Sequence, residues 1–192
     1  MEIRPWRCGD EALALAAQPY LSMRSLNQRF LAGTGGRLPT SYLRHVAVGP
    51  RPTWDAQVAI GSGHLLGWAE FGRVSPTSTE GDLAVMVADP WHRQGIATAL
   101  ILAMLPRAAA AGIRTVHADM LPGNTAAYGL LTSLFGRLTG GIVDGVAHFD
   151  MDLTTALSQR PEIAAPPVPA EKPGPSERVP CPPARLPALA TA

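Results

Sequence analysis

Apolar positions along the chain switch between two periods. Alternation by two marks strands at Asp55 to Ile60 and Leu65 to Phe71. Between them Gly61-Ser62-Gly63 reads as a hairpin turn. The run Leu83-Ala84-Val85-Met86-Val87 predicts a buried central strand over Glu80 to Val87. Shorter strands are expected at Glu2 to Arg7 and Arg114 to Ala118, and a last hairpin over Gly141 to Leu153, turning at Asp144-Gly145. Helical spacing appears after Gly9-Asp10, with Asp10 as the expected N-cap and Pro19 as a limit. It returns over Ser22 to Leu31, where Met23, Leu26 and Phe30 share a face, and over Thr40 to Val46. The main helix is predicted over Gly95 to Ala111, with Pro106 expected to bend it or end its first part. A final helix runs from Asn124 to Phe135 and stops at Gly136. The order predicts an α/β (α+β) three-layer sandwich: a mixed, mostly antiparallel sheet with helices on both faces.

The pattern fails towards the C-terminus. From Pro161 to Pro187, ten of 27 residues are proline, which removes ten donors and blocks regular helix or central strand. We therefore expect a core domain over 1–155 and a proline-rich, disordered tail over 156–192. Within the 192 residues, 46% hydrophobic content is ample for one core. A formal net charge of +1, with arginines scattered from Arg4 to Arg185, offers no concentrated basic face for nucleic acid. No apolar run reaches the length of a membrane span, and the N-terminus lacks a long apolar stretch, so a cytoplasmic location is expected. The histidines and two cysteines show no metal-ligand spacing.

Chemistry concentrates in Val87 to Leu100. A buried strand, a tight basic turn with one glycine, and a long helix follow one another there. That order gathers backbone N–H groups and a helix N-terminus around one small space, suited to a phosphate. The donors would come from His92, Arg93, Gln94, Gly95, Ile96, Ala97 and Thr98. The turn has neither the three glycines of a dinucleotide-binding loop nor the Gly-Lys-Ser/Thr ending of a nucleotide-triphosphatase loop.

This turn resembles the acyl-CoA pyrophosphate loop of the GNAT superfamily of N-acetyltransferases. Gly95 and Ala97 fit its pattern, while His92 stands where Arg or Gln is usual. A second stretch, Ala118 to Tyr128 followed by Leu130-Leu131 and Leu134-Phe135-Gly136, is similar to the family's later helix, which commonly opens on Asn. Ser22 to Phe30, with Val58-Ala59-Ile60 and Leu66-Gly67-Trp68-Ala69, resembles the branch of bacterial protein lysine acetyltransferases.

The resemblance implies a fold of the acyl-CoA N-acyltransferase type. It also implies acetyl-CoA as cosubstrate and direct attack by a primary amine, on a protein lysine or a small molecule. The backbone around Val85, Met86 and Val87 would pair with the pantetheine arm. Two carboxylates are candidates for the base: Asp82 on the central strand, and Glu70 on the strand before it. Asn124 would either touch the cofactor arm or cap its helix, and Tyr128 would face the same cleft. Leu131 occupies the position where many relatives carry a tyrosine acid. A non-catalytic acyl-CoA-binding domain is the alternative reading, and a homodimer is left open.

Overall fold

A computed structural model describes residues 1–160. The chain forms β1 (Glu2–Pro5), α1 (Asp10–Ala17), α2 (Met23–Phe30), α3 (Thr40–Ala47), β2 (Trp54–Gly61), β3 (His64–Gly72) and β4 (Glu80–Val87). It continues with α4 (Ile96–Ala110), β5 (Thr115–Met120), α5 (Thr125–Phe135), β6 (Thr139–Val143), β7 (Val146–Asp152) and α6 (Leu153–Ser158). The strands make one seven-stranded sheet in the order β1-β2-β3-β4-β5-β7-β6. Among the described residues only β4 and β5 pair in parallel, so the sheet is mixed and mostly antiparallel, as the strand patterning predicts.

Two hairpin turns follow directly from their residues. Ser62 and Gly63 take φ 50° and 77°, and Asp144 and Gly145 take 49° and 79°. Two successive positive φ angles match the right-handed twist of the flanking strands.

Side-chain pairing settles which helices cover which face. Tyr42 of α3 donates to Glu70 of β3, so α3 lies on the Glu70 face. Arg107 of α4 donates to Asp55, whose antiparallel partner is Phe71, on the opposite face. The helices therefore sandwich the sheet. On the α4 side, Leu100, Ile101, Met104 and Leu105 are fully buried. No helix among the described residues is long and apolar enough to cross a membrane.

One local expectation needs correction, and two are sharpened. Gly9, at φ 96°, is the N-cap of α1, not Asp10. Asp10 is buried, and its carboxylate accepts from Arg4 at 2.6 and 2.9 Å and from the Arg7 N–H at 2.7 Å, tying β1 to α1. Pro106 does not end its helix: α4 runs on to Ala110. The lost hydrogen bond and ring clash cost about 3 kcal/mol, but burial of Met104, Leu105 and Ala108 around the proline contributes more. Finally, position 155 falls inside α6, where Leu153 and Ala156 are both buried. The proline-rich stretch from Pro161 lies outside the described residues.

Candidate active site

The sheet is divided at its one parallel junction. Strands β4 and β5 pair only at Glu80–Thr115, Gly81–Val116 and Asp82–His117. Beyond Asp82, β4 stays with β3 while β5 continues with β7. The space between them is a cavity of about 930 Å³, bounded by β4, the 91–98 segment, β5, one side of α5 and the end of α2.

Backbone alternation shows what β4 offers to that space. The Ala88 N–H donates to the Leu66 carbonyl at 2.9 Å. Along an antiparallel pair, N–H and C=O groups turn to alternate sides. Asp82, Ala84 and Met86 therefore turn theirs to β3, and Leu83, Val85 and Val87 turn theirs away from it: the Leu83 N–H meets His117 at the last β4–β5 pair, and Val85 and Val87 face the cavity. The Val87 carbonyl is taken by His92 Nε2, at 2.8 Å. Val85 therefore directs both backbone groups to the cavity and Val87 its N–H, while Met86 lines the cavity with its backbone groups turned to β3. The reason is the two-residue period of a strand, which allows only every other residue to serve one edge.

The turn after β4 is held from two directions. His92 closes it onto Val87. Asp89 reaches across to α2, where its carboxylate accepts from Ser25 Oγ at 2.7 Å and the Ser22 N–H at 3.2 Å. Partial burial opposes ionisation of Asp89, but these donors and nearby His92 outweigh it and lower its pKa. Trp91 packs edge-on against Tyr20, with centroids 5.4 Å apart.

Gly95 then caps α4 at φ 75°, with no side-chain cap. The N–H groups of Ile96, Ala97 and Thr98 have no acceptor within the helix. These three residues line the cavity, as do Gly95, Arg93 and His92. A Cβ at Gly95 would meet nothing within 4 Å, so the space above the helix end is open to a ligand. Gln94 lies outside the lining, and its side chain donates to Pro90 O at 3.4 Å.

The two candidate carboxylates have opposite surroundings. Glu70 is buried and does not line the cavity. It is ion-paired with Arg29 and accepts from Tyr42 Oη at 3.1 Å and Trp54 Nε1 at 3.0 Å. Asp82 lies at the point where β4 and β5 part, exposed on the cavity wall. Local desolvation raises its pKa, with Asp119 adding and His117 opposing.

On α5, Asn124 lines the cavity and also caps the helix, its Oδ1 accepting from the Ala127 N–H at 3.2 Å. Tyr128 stands off the cavity, edge-on to Phe149 at 5.7 Å. Four positions along a helix turn a side chain back only approximately, and here the Phe149 contact draws the ring away. His117 is a lining residue that the sequence pattern does not mark. Its meeting with Asp82 depends on β4–β5 register, which neither strand encodes alone.

Among solved structures, the GNAT domain of S. lividans PAT matches with a TM-score of 0.72 at 21% identity, covering 78% of this chain and 89% of that one. A ribosomal-protein-alanine N-acetyltransferase from Brucella melitensis matches at 0.61 and 18% identity, covering 79% and 99%. A cAMP-binding acyltransferase from Mycobacterium smegmatis matches at 0.53 and 21% identity, covering 84% of this chain and 48% of that one. A sequence search finds no individual curated protein that matches at a significant level. The likenesses show the fold, that of the GNAT acyl-CoA N-acyltransferases. The family model for GNAT acetyltransferases matches residues 21–136, more than half of the chain. With the divided sheet and the uncapped α4 N-terminus already in place, the chain belongs to the acetyltransferase (GNAT) family.

Proposed function

We propose that this protein transfers an acetyl group from acetyl-CoA to a primary amine, with Asp82 taking the amine's proton. The observation that carries this reading is the junction of the free β4 edge with the uncapped N-terminus of α4. One ligand can engage both. A pyrophosphate fits the α4 amides, with Arg93 beside it. An extended amide-bearing arm fits the Val85 N–H and C=O, as an added strand would. Acetyl-CoA supplies the thioester carbon that the amine attacks.

The chain's own groups do the rest. The β4 edge fixes the arm, and positioning of this kind lowers the barrier substantially. Its cavity-facing N–H groups are suited to the oxygen on which charge develops. Asp82 receives the proton, directly or through water, so that the amine is neutral when it attacks. Glu70 has three donors around it and sits behind the cavity wall, which favours a structural role beside Asp82's chemical one. Asn124 holds the α5 end in place. The acceptor is a protein amine or a small-molecule amine. The name of the Brucella neighbour, which places an alanine of a ribosomal protein in that role for its own chain, keeps the first class in view.

The test is a panel of amines with acetyl-CoA, followed by Asp82→Asn. The variant is expected to bind acetyl-CoA normally and to lose turnover by about 10²–10⁴-fold at neutral pH. The deficit should shrink as pH rises, because more of the amine is already neutral. Full activity in Asp82→Asn, with loss in Glu70→Gln at unchanged stability, would transfer the role to Glu70. No turnover of any amine by the unaltered protein, with acetyl-CoA still bound, would favour a binding domain over an enzyme.

A further inference from the structure

On the Glu70 face, beyond Asp82, the sheet carries a second set of ionisable groups. His117 lies beside Asp82 on the neighbouring parallel strand, and adjacent strands are about 4.8 Å apart. Its ring is about two-thirds buried and lines the cavity. Nδ1 meets Asp150 Oδ1 of β7 at 2.6 Å. A carboxylate that close makes Nδ1 the proton-bearing nitrogen, which leaves Nε2 free to accept. Nε2 lies 3.7 Å from Glu80 Oε2, whose side chain is 67% exposed. The ring therefore touches the cavity on one side and reaches solvent through its carboxylate partners on the other.

We propose that His117, oriented by Asp150, relays the amine's proton from Asp82 to solvent. This rests on the acetyltransferase reading above. The acceptor enters as an ammonium. It gives one proton to the Asp82 carboxylate, and Asp82 passes that proton to Nε2 of neutral His117. The imidazolium then releases it to solvent past Glu80 and Asp150. The freed nitrogen lone pair forms the N–C bond and the C–S bond breaks, its electron pair leaving on the CoA sulfur. The second N–H proton departs as the amide forms, and the thiolate takes up one proton. The net release is one proton per transfer, and it is this proton that the relay exports.

The electrostatics support the direction. Burial opposes the imidazolium, but Asp150 outweighs it through its hydrogen bond and charge, and Glu80 and Asp82 add to the effect, so the pKa of His117 is raised. The same carboxylates favour a proton on this ring. The ionisable groups on this face around it are Glu80 and Asp82 from β4, Asp119 on its own strand, and His148, Asp150 and Asp152 from β7. His148 pairs with Asp119 at 2.7 Å but lies outside the cavity lining. It is a comparison histidine on the same face.

The experiment has two readouts. In the first, the imidazole of His117 is titrated by NMR in the full chain, in Asp82→Asn and in Asp150→Asn. The expected pKa lies above the ordinary histidine value in the parent and falls in both variants, further in Asp150→Asn. An unchanged titration in both would overturn the relay whatever the activity. The second readout is the pH dependence of kcat. His117→Gln should lower kcat by about 10–10²-fold with KM for acetyl-CoA unchanged, and should remove the ionisation assigned to the ring. Added imidazole should restore part of the turnover of His117→Ala, and His148→Gln should keep the parent profile. A parent-like profile in His117→Gln would overturn the relay alone. Absence of turnover by the parent with every amine would overturn the acetyltransferase reading and the relay with it.

Discussion

Glu70 and Asp82 lie on one sheet face, yet their environments assign them different work. Around Glu70, Arg29, Tyr42 and Trp54 all direct donors to one buried carboxylate. Truncation to alanine strands a partly buried guanidinium and two other donors. Breaking such a pair costs about 3–5 kcal/mol, so Glu70→Ala should show a clearly lower urea midpoint even where acetyl-CoA still binds. Gly95 is the opposite case, a residue whose importance is empty space. Gly95→Glu would force a side chain to φ 75° and place a negative charge above the α4 amides. Calorimetry with acetyl-CoA should show binding lost while the melting temperature moves by only a few degrees. Gly95 could be singled out in the sequence because it stands with Ala97 in a basic turn between an apolar strand and a long helix; the glycine alone would be a weak signal. Asp82 was legible as a candidate and Glu70 equally so. What separates them is the presence of Arg29 and Tyr42, which lie 41 and 28 positions from Glu70 and leave no trace in its local pattern.

At the scale of elements, the turn after β4 depends on a helix far from it in sequence. Asp89 joins that turn to the first turn of α2 through Ser22, 67 positions away, and no periodicity could announce the contact. Its carboxylate is about one-third exposed, so the tether contributes only about 1 kcal/mol after solvent screening. Its effect on binding should be the clearer one: Asp89→Ala is expected to weaken acetyl-CoA binding several-fold in a direct titration. The sign with pH follows from the lowered pKa. The stabilisation is complete above the ordinary aspartate value of about 3.9 and is lost as pH falls through the lower folded value. His117 runs the other way. Its pKa is raised, so its contribution is complete below about 6.5 and is lost as pH rises through the folded value. Urea midpoints of Asp89→Ala and His117→Gln measured across pH should separate the two. The element types themselves were readable, because hairpin turns and apolar periods are local. The helix over Gly95 to Ala111 was readable too, with Pro106 inside it, and the burial of Met104 and Leu105 accounts for its running on.

For the molecule as a whole, α6 belongs to the packed core. Composition placed the boundary at 155, yet Ala156 is 1% exposed and Arg160 donates to the Ser133 carbonyl at 2.9 Å. Ala156→Asp in the full chain should therefore cost about 3–5 kcal/mol, as an uncompensated buried charge does. Thermal unfolding would register this as a fall of roughly 6–20 °C, whereas a position beyond the fold would register nothing. The parted strands have a consequence for the molecule's dynamics. Val85 keeps its peptide groups turned to an open cleft, so β4 has a sheet edge inside the protein. Without ligand, the amide of Val85 should exchange with deuterium faster than those of Ala84 and Met86, which β3 protects. An acyl-CoA arm that joins the sheet would slow Val85 and leave the other two unchanged. The same arm would bridge two sheet halves otherwise joined by three residue pairs. Unfolding temperature should then climb with acyl-CoA concentration, and the substrate would act as the missing strand of the fold that consumes it.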